Sequence, residues 1–138
     1  MYLLDTNVVS EARKGSRANP GVQSFMQRLK QDQAPVFLSV ITVGELRRGV
    51  ELIRKRGDLA QARQLERWMA ATLEAHYDAI LPIDSDIAQL WGHLRAPRPE
   101  NVLDKFIAAT AMIHDLVVVT RNDRDFEGTG ARCINPFG

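Results

Sequence analysis

Short runs of apolar residues alternate along the chain with longer segments in which apolar residues recur at every third or fourth position. The short runs predict strands, and the longer segments predict helices between them. Strands that alternate with helices are typical of an α/β fold, in which crossover helices connect the strands of a parallel sheet. The strands are predicted at residues 2–4, 36–40, 80–83, 116–120 and 132–134.

Residues that favour helix starts precede most of the helical segments. Pro82 assigns the third strand to an edge of the sheet, because proline has no N–H to donate to a neighbouring strand. The uninterrupted apolar run 116–120 is typical of an interior strand. The helices are predicted to begin near Val8, at Pro20, after a cap at Thr42, at Asp58, after a cap at Asp84 or Ser85, and near Val102.

The composition is that of one ordinary globular domain over residues 1–138. Hydrophobic residues make up 45% of the chain and charged residues 25%, which excludes a disordered, collagen-like or coiled-coil protein. Cys133 is the only cysteine, so an intramolecular disulfide and a cysteine-rich zinc site are both excluded. The net charge is only +1, so any contact with nucleic acid must come from a local arrangement of charges.

The amino terminus lacks the basic segment and the long apolar stretch of a signal peptide. No apolar run approaches the roughly 20 residues that a membrane span requires. We therefore expect a cytoplasmic protein.

Several acidic residues are predicted to meet at one edge of the sheet. Ligands of an open parallel sheet bind beyond the carboxyl ends of its strands. Glu45 is expected in the first turn of the helix that follows the second strand. A crossover helix runs antiparallel to its strands, so the N-terminal turn that holds Asp104 returns to the same edge. The acids predicted to share this edge are Asp5, Glu45, Asp104, Asp123 and Asp125.

Clustered carboxylates predict a particular chemistry. They repel one another in a poorly solvated site, and without a cation some would stay protonated. A divalent cation removes this conflict, and an all-oxygen set of ligands selects a hard ion such as Mg²⁺ or Mn²⁺. An ion in such a site can orient water toward a phosphodiester and neutralise charge on the leaving oxygen. The acids therefore indicate a nuclease or a phosphatase.

Four motifs occur in order along the chain. They are Leu4-Asp5-Thr6-Asn7-Val8-Val9-Ser10-Glu11, Leu38-Ser39-Val40-Ile41-Thr42-Val43-Gly44-Glu45-Leu46, Asp104-Lys105-Phe106-Ile107-Ala108-Ala109-Thr110-Ala111, and Val119-Thr120-Arg121-Asn122 with Asp125-Phe126. In this order they resemble the motifs of PIN-domain ribonucleases, and the ending Ile134-Asn135-Pro136-Phe137 suits the VapC/FitB-like toxin branch. The resemblance covers essentially the whole chain.

This resemblance implies a PIN-like three-layer sandwich, with a mainly parallel central sheet of about five strands flanked by helices. It implies the toxin of a type II toxin–antitoxin pair, an endoribonuclease that uses Mg²⁺ or Mn²⁺ and for which tRNA is one candidate target. It also implies a cognate antitoxin protein as partner, and a homodimer. Asp5, Glu45 and Asp104 match the first three acidic positions of the family, and Asp5 and Asp104 are the expected metal ligands.

The fourth acidic position has alternatives. Some members of the family carry an acid where this chain has Asn122, whereas others carry a paired Asp-x-Asp-Phe that Asp123-Arg124-Asp125-Phe126 fits. We expect Asp123 or Asp125 to complete the site, and the other to be a turn residue. Lys105 is a departure from the family pattern, because many members have a small or apolar residue beside the third acid.

The same acids also have plain structural interpretations. Asp5 suits the cap of a following helix, and Asp104 suits the dipole of a helix N-terminus. Thr42 and Glu45 fit a capping box, in which both side chains accept backbone N–H groups at a helix start. Substitution of Glu45 by Gln separates the two roles, because Gln serves in a capping box but brings no charge.

Two other functions are compatible with the sequence. A PIN-like module could hold RNA or an antitoxin without cutting, although binding alone needs no anionic cluster facing a polyanion. A HAD-type phosphatase also uses an Asp at the end of its first strand, but it needs a second acid two residues later, where this chain has Asn7. Metal-dependent cleavage of RNA distinguishes the three functions.

Residues 45–67 carry more basic than acidic side chains. This excess predicts either a solvated helix face or a surface for RNA or an antitoxin. The basic residues are Arg47, Arg48, Arg54, Lys55, Arg56, Arg63 and Arg67.

Overall fold

A parallel sheet of five strands runs through the computed structural model, which describes residues 1–138. The strands are β1 (Tyr2–Leu4), β2 (Val36–Ser39), β3 (Ile80–Leu81), β4 (Val117–Val119) and β5 (Cys133–Ile134). Their order in the sheet is β3-β2-β1-β4-β5, and every neighbouring pair is parallel. The predicted parallel α/β sheet is therefore confirmed, with β3 at an edge and β4 in the interior.

Six α-helices connect and cover the strands. They are α1 (Thr6–Ala12), α2 (Pro20–Asp32), α3 (Val40–Lys55), α4 (Leu59–Ala75), α5 (Ser85–Arg95) and α6 (Val102–Ile113), with short 3₁₀ turns at Gly15–Arg17, Tyr77–Ala79 and Asp123–Phe126. None of these helices combines the length and the apolar character needed to cross a bilayer.

The sheet has a separate hydrophobic cluster on each face, because successive strand residues point to opposite sides. Leu4 and Val119 pack with apolar residues of α1 to α4 in one cluster. Leu3 and Val118 pack on the other side with Ile107 of α6 and its neighbours. Helices thus form a layer on both sides of the sheet, which confirms the predicted three-layer sandwich.

The caps of α4 and α5 are found where the sequence predicts them. The Asp58 carboxylate accepts the Gln61 N–H at 3.1 Å, and the Asp84 carboxylate accepts the Ile87 N–H at 2.9 Å. The predicted strand at residues 80–83 stops after two residues. Pro82 follows immediately and cannot donate the next ladder hydrogen bond.

The start of α3 differs from its prediction. Ser39 caps this helix, and its hydroxyl accepts the Ile41 N–H at 3.0 Å. Thr42 lies inside the helix and is fully buried. The predicted capping box of Thr42 with Glu45 is therefore wrong. Glu45 lies in the second turn and not the first, so a backbone cap does not account for its carboxylate.

Ion pairs between α3 and α4 account for part of the basic excess in residues 45–67. Arg47 and Arg54 each contact both Glu51 and Glu66, with N–O distances from 2.5 to 3.2 Å. These side chains are largely exposed, so each pair adds little to stability. The other basic residues of this segment are exposed, and their role as a binding surface stays a prediction.

Candidate active site

Asp5 lies at the carboxyl end of β1, where it caps α1 and is only 4% exposed. Its two carboxylate oxygens accept different donors, the Thr6 N–H at 2.8 Å and the Thr120 hydroxyl at 2.8 Å. Burial raises the pKa of Asp5, and the hydrogen bonds from Thr120, Thr6 and Asn7 oppose that rise. Asp5 is therefore both a helix cap and a buried acid held in a fixed orientation.

Asn7 and Thr120 connect the first turn of α1 to the segment after β4. The Asn7 amide nitrogen lies 3.4 Å from Oδ2 of Asp5 and 3.4 Å from the Thr120 hydroxyl. The Asn7 side-chain oxygen accepts the Arg121 N–H at 3.0 Å. Thr120 is fully buried, and its hydroxyl also accepts the Asn122 N–H at 3.1 Å. These contacts fix the position of Asp5 from two neighbouring strands.

Glu45 reaches the same edge from α3. The Thr6 hydroxyl, next to Asp5 in the chain, donates to Oε1 of Glu45 at 2.8 Å. The Thr6 oxygen also lies 3.3 Å from the buried Thr42 hydroxyl. A hydroxyl group has only one proton to donate, and Thr6 donates its proton to Glu45. In the contact between the two threonines, the Thr42 hydroxyl is therefore the donor and the Thr6 oxygen the acceptor. Thr42 therefore supports the side chain that orients Glu45.

Asp104 lies in the first turn of α6 and is half-buried. Its pKa is raised to about 6, first by burial and then by the charges of Asp5, Asp125 and Glu45, while Lys105 opposes the rise. Three acids from three other segments therefore lie close enough to Asp104 to disfavour its charged form. This is the crowding that the sequence predicts for the edge of the sheet.

Asp123 and Asp125 have different surroundings, although both lie in the 3₁₀ turn after β4. Asp125 is partly buried, and its charge raises the pKa of both Asp5 and Asp104. Asp123 is exposed, and its carboxylate lies 3.5 Å from the Asn135 amide nitrogen. Of the two candidates, Asp125 is the one that interacts with the other acids.

A divalent cation fits this group of acids by chemistry. The side chains of Asp5, Glu45, Asp104 and Asp125 offer only oxygen ligands, which hard cations prefer. No three His, Cys, Asp or Glu side chains are arranged to hold one ion in this structure. A hard ion such as Mg²⁺ is usually bound by one or two carboxylates together with water, and Asp5 offers a carboxylate that hydrogen bonds already hold in place.

Thr6 and Thr120 are site residues whose roles the sequence does not specify. Both occur inside the quoted motifs, but turn chemistry explains a threonine after a strand equally well. The available signal is the position of each threonine near the end of a strand, with Thr6 directly after Asp5 and Thr120 three residues before Asp123. The Thr6 hydroxyl donates to Glu45 and the Thr120 hydroxyl donates to Asp5. The residues of each pair are far apart in the sequence, and only the fold brings them together.

The chain matches the family model described as PIN domain over residues 2–131. The toxin FitB of Neisseria gonorrhoeae is 34% identical over 99% of both chains. The structure of FitAcB from the same organism superposes with a TM-score of 0.78, at 34% identity and coverage of 99% of this chain and 98% of that one.

Two further relatives carry functional names. The VapC ribonuclease Y4jK of Sinorhizobium fredii is 35% identical, over 99% of this chain and 98% of that protein. A toxin–antitoxin complex from Klebsiella pneumoniae contains a chain that is 26% identical with a TM-score of 0.69, covering 99% of this chain and 98% of that one.

Proposed function

This chain belongs to the PIN domain family, and from that membership and its site we propose that it is a metal-dependent endoribonuclease and the toxin of a toxin–antitoxin pair. The observation that carries the proposal is that Asp5, Glu45 and Asp104, from three separate segments, meet at one edge of the sheet with Asp125 near them. Burial and the three neighbouring acids raise the pKa of Asp104 to about 6. Such strongly perturbed groups cluster at functional sites, and this one lies at the carboxyl edge of a parallel sheet.

We assign Asp5 and Asp104 as the residues that hold a divalent ion, Mg²⁺ or Mn²⁺. Glu45 and Asp125 add negative charge beside them. When bound, the ion supplies a Lewis acid that activates water and neutralises charge on the phosphodiester. The residues of the chain fix the geometry, because Thr120 holds Asp5 and the Thr6 hydroxyl holds Glu45.

RNA is the proposed substrate, because a relative that is 35% identical over nearly its whole length is named a VapC ribonuclease. The alternative of a silent binding module does not explain why the fold crowds four acids together, since crowded negative charge repels a polyanion. The HAD-type phosphatase alternative lacks its second acid, because Asn7 occupies that place and bonds to Asp5.

Induced expression tests the toxin directly. We expect expression of the protein to stop growth and to fragment cellular RNA, with tRNA as one candidate target. Co-expression of a small protein encoded beside it should restore growth. Binding of RNA without any cleavage, in the presence of Mg²⁺ or Mn²⁺, would support the silent module instead.

The proposed partner is a cognate antitoxin, in keeping with the K. pneumoniae relative, which was solved as a toxin–antitoxin complex. An acidic cleft is a receptor for an arginine side chain, which binds carboxylates in a bidentate manner. A homodimer is also proposed, from the family resemblance, and light scattering of the purified protein tests it.

If an antitoxin arginine enters the acidic site, it competes there with the cation. We expect Mg²⁺ to bind more weakly to the toxin–antitoxin complex than to the free toxin, as measured by calorimetric titration of both. Equal Mg²⁺ affinity for the complex and for the free toxin would contradict this mode of inhibition.

Asp125→Asn and Asp123→Asn should have unequal effects on cleavage. Asp125 interacts with Asp5 and Asp104, so removing its charge should weaken retention of the cation. We expect Asp125→Asn to need a higher Mg²⁺ concentration for half-maximal cleavage, and to be slow at low Mg²⁺. Asp123→Asn is the matched control, with the same chemical change in the same 3₁₀ turn, and should behave like the parent. Parental Mg²⁺ dependence in both variants would reduce the site to three acids.

A further inference from the structure

A small polar cavity lies beside the acidic edge of the sheet and is not used by the proposed chemistry. Its volume is about 160 Å³, and only one of its eight lining residues is hydrophobic. Basic side chains from three elements meet there, with Glu127 as the single acid. The basic residues are His93 of α5, Arg98 of the loop after it, and Lys105 of α6.

Lys105 is the most unusual member of this cavity. It is only 4% exposed, and it forms no salt bridge. Its ammonium group donates to the backbone carbonyl of Glu100. An ammonium group has three N–H donors, and buried lysines are rarely left without a charged partner. Lys105 therefore brings a desolvated positive charge with unused donors to the wall of a cavity.

The guanidinium of Arg98 lies against Gly128 at the wall of the same cavity. A Cβ atom at Gly128 would lie 2.8 Å from Nη1 of Arg98 and 3.2 Å from its Cζ. Gly128 also has a φ of +80°, which favours glycine. The guanidinium of Arg98 thus lies against bare backbone, and it forms no salt bridge. A planar group with several N–H donors in a fixed fork suits phosphate oxygens.

The cavity adjoins the acidic site through consecutive residues of α6. Lys105 follows Asp104 in the chain, and its charge opposes the rise in the pKa of Asp104. A strand of RNA that places one phosphate at the acids can therefore place a neighbouring phosphate at the cavity. Positive charge beside the acids also offsets the repulsion that those acids exert on the RNA backbone.

We propose that Arg98 and Lys105 form a binding site for an RNA phosphate that neighbours the cleaved one. The site rests on the proposed function, because it assigns a further contact for the same RNA substrate. It is made of this chain's own features, namely the buried Lys105 that departs from the family pattern and the Arg98 guanidinium against Gly128.

The test measures RNA binding without cleavage. A short fluorescent oligoribonucleotide is titrated with protein in EDTA at several salt concentrations. Each phosphate contact contributes about 0.7 to the slope of log K against log salt for a single strand. We expect Arg98→Ala to lower this slope by about 0.7, which corresponds to roughly fourfold weaker binding at ~0.15 M salt.

Lys105→Met should also lower the slope, since it removes the charge and keeps a similar length. Arg132→Ala is the matched control. Arg132 is an exposed arginine just before β5, at the amino end of the strands and away from the acids, and it pairs with Asp115. This variant should keep the parental slope and affinity. If Lys105→Met does not fold, Arg98→Ala still decides the question, because Arg98 is exposed.

Several outcomes would overturn the phosphate site. One is a parental slope in Arg98→Ala. Another is a folded Lys105→Met protein that cuts RNA more slowly but keeps the parental slope of log K against log salt. Lys105 would then only offset the negative charge of the acids and would not contact a phosphate. The proposed function fails separately. If the parent binds RNA with a slope that depends on Arg98 but never cuts it with Mg²⁺ or Mn²⁺, the phosphate site stands and the nuclease does not.

Discussion

Asp5→Asn and Asp104→Asn should each abolish RNA cleavage and growth inhibition. Each substitution removes one negative charge from the pair that we assign to the cation. Loss of groups that merely orient metal ligands typically costs 10- to 100-fold in activity, so loss of a ligand charge should cost at least about 100-fold. The measurement is the initial rate of RNA cleavage at saturating Mg²⁺, with growth after induction as a second readout. Full toxicity of either soluble variant would contradict the metal-nuclease function.

The same variants should remain folded, which separates a catalytic role from a structural one. Asn keeps an acceptor for the Thr6 N–H at position 5, and Asn is as good a helix cap as Asp. The acceptor that Thr120 loses at position 5 is offset because the neutral amide no longer requires a charge to be buried there. We therefore expect circular dichroism and the melting temperature in EDTA to show no loss of the fold.

Asp104→Asn should even raise the melting temperature in EDTA at neutral pH. The pKa of Asp104 is about 6 in the folded protein against 3.8 for the ordinary group, so the folded state holds this proton more tightly. The stability that protonation confers is therefore lost as the pH rises through about 6. The gain of the variant over the parent should be larger at pH 7.5 than at pH 5. An equal gain at both values would mean that the charge of Asp104 is not disfavoured.

Glu45→Gln should lose most of the RNase activity while keeping nearly all of the thermal stability measured without metal. The Thr6 hydroxyl can donate to the side-chain oxygen of the introduced glutamine as it does to the Glu45 carboxylate, so the local packing survives. The charge that interacts with Asp104 is lost. A Glu45→Gln protein that cuts RNA at the parental rate would remove Glu45 from the site.

Ser39→Ala is the control for the stability of α3. Ser39 is the observed cap of this helix, and loss of a cap costs about 1 kcal/mol. This variant should melt at a lower temperature and cut RNA at nearly the parental rate. Thr42→Ala is a less suitable control, because the Thr42 hydroxyl contacts the side chain that orients Glu45.

The pattern of apolar residues predicts the sheet well because each short apolar run must be buried away from water, and this marks it as a strand without reference to the rest of the chain. The runs 116–120 and 2–4 are found as β4 and β1, adjacent and parallel in the sheet. The carboxyl edge follows from this order, so Asp5 could be placed from the sequence alone. Asp104 could be placed in the same way, from the antiparallel direction of a crossover helix.

Two details of the site depend on side-chain contacts between distant segments. The predicted start of α3 is wrong because both Ser39 and Thr42 suit a cap, and β2 ends at Ser39, whose hydroxyl accepts the Ile41 N–H while Thr42 already lies inside the helix. The choice between Asp123 and Asp125 depends on how a short 3₁₀ turn is oriented after β4. Sequence spacing does not determine that orientation.

If the crowded acids at the carboxyl edge of the sheet form a cation-dependent centre that cleaves RNA, cleavage must stop when the cation is removed. The decisive measurement is the rate of RNA cleavage by the purified protein after treatment with EDTA, followed by titration with Mg²⁺ and, separately, with Mn²⁺. We expect no cleavage in EDTA and a rate that rises to saturation with added ion, with Asp5→Asn inactive at every concentration. Cleavage in EDTA at the rate seen with saturating Mg²⁺ would show that the acids do not act through a cation.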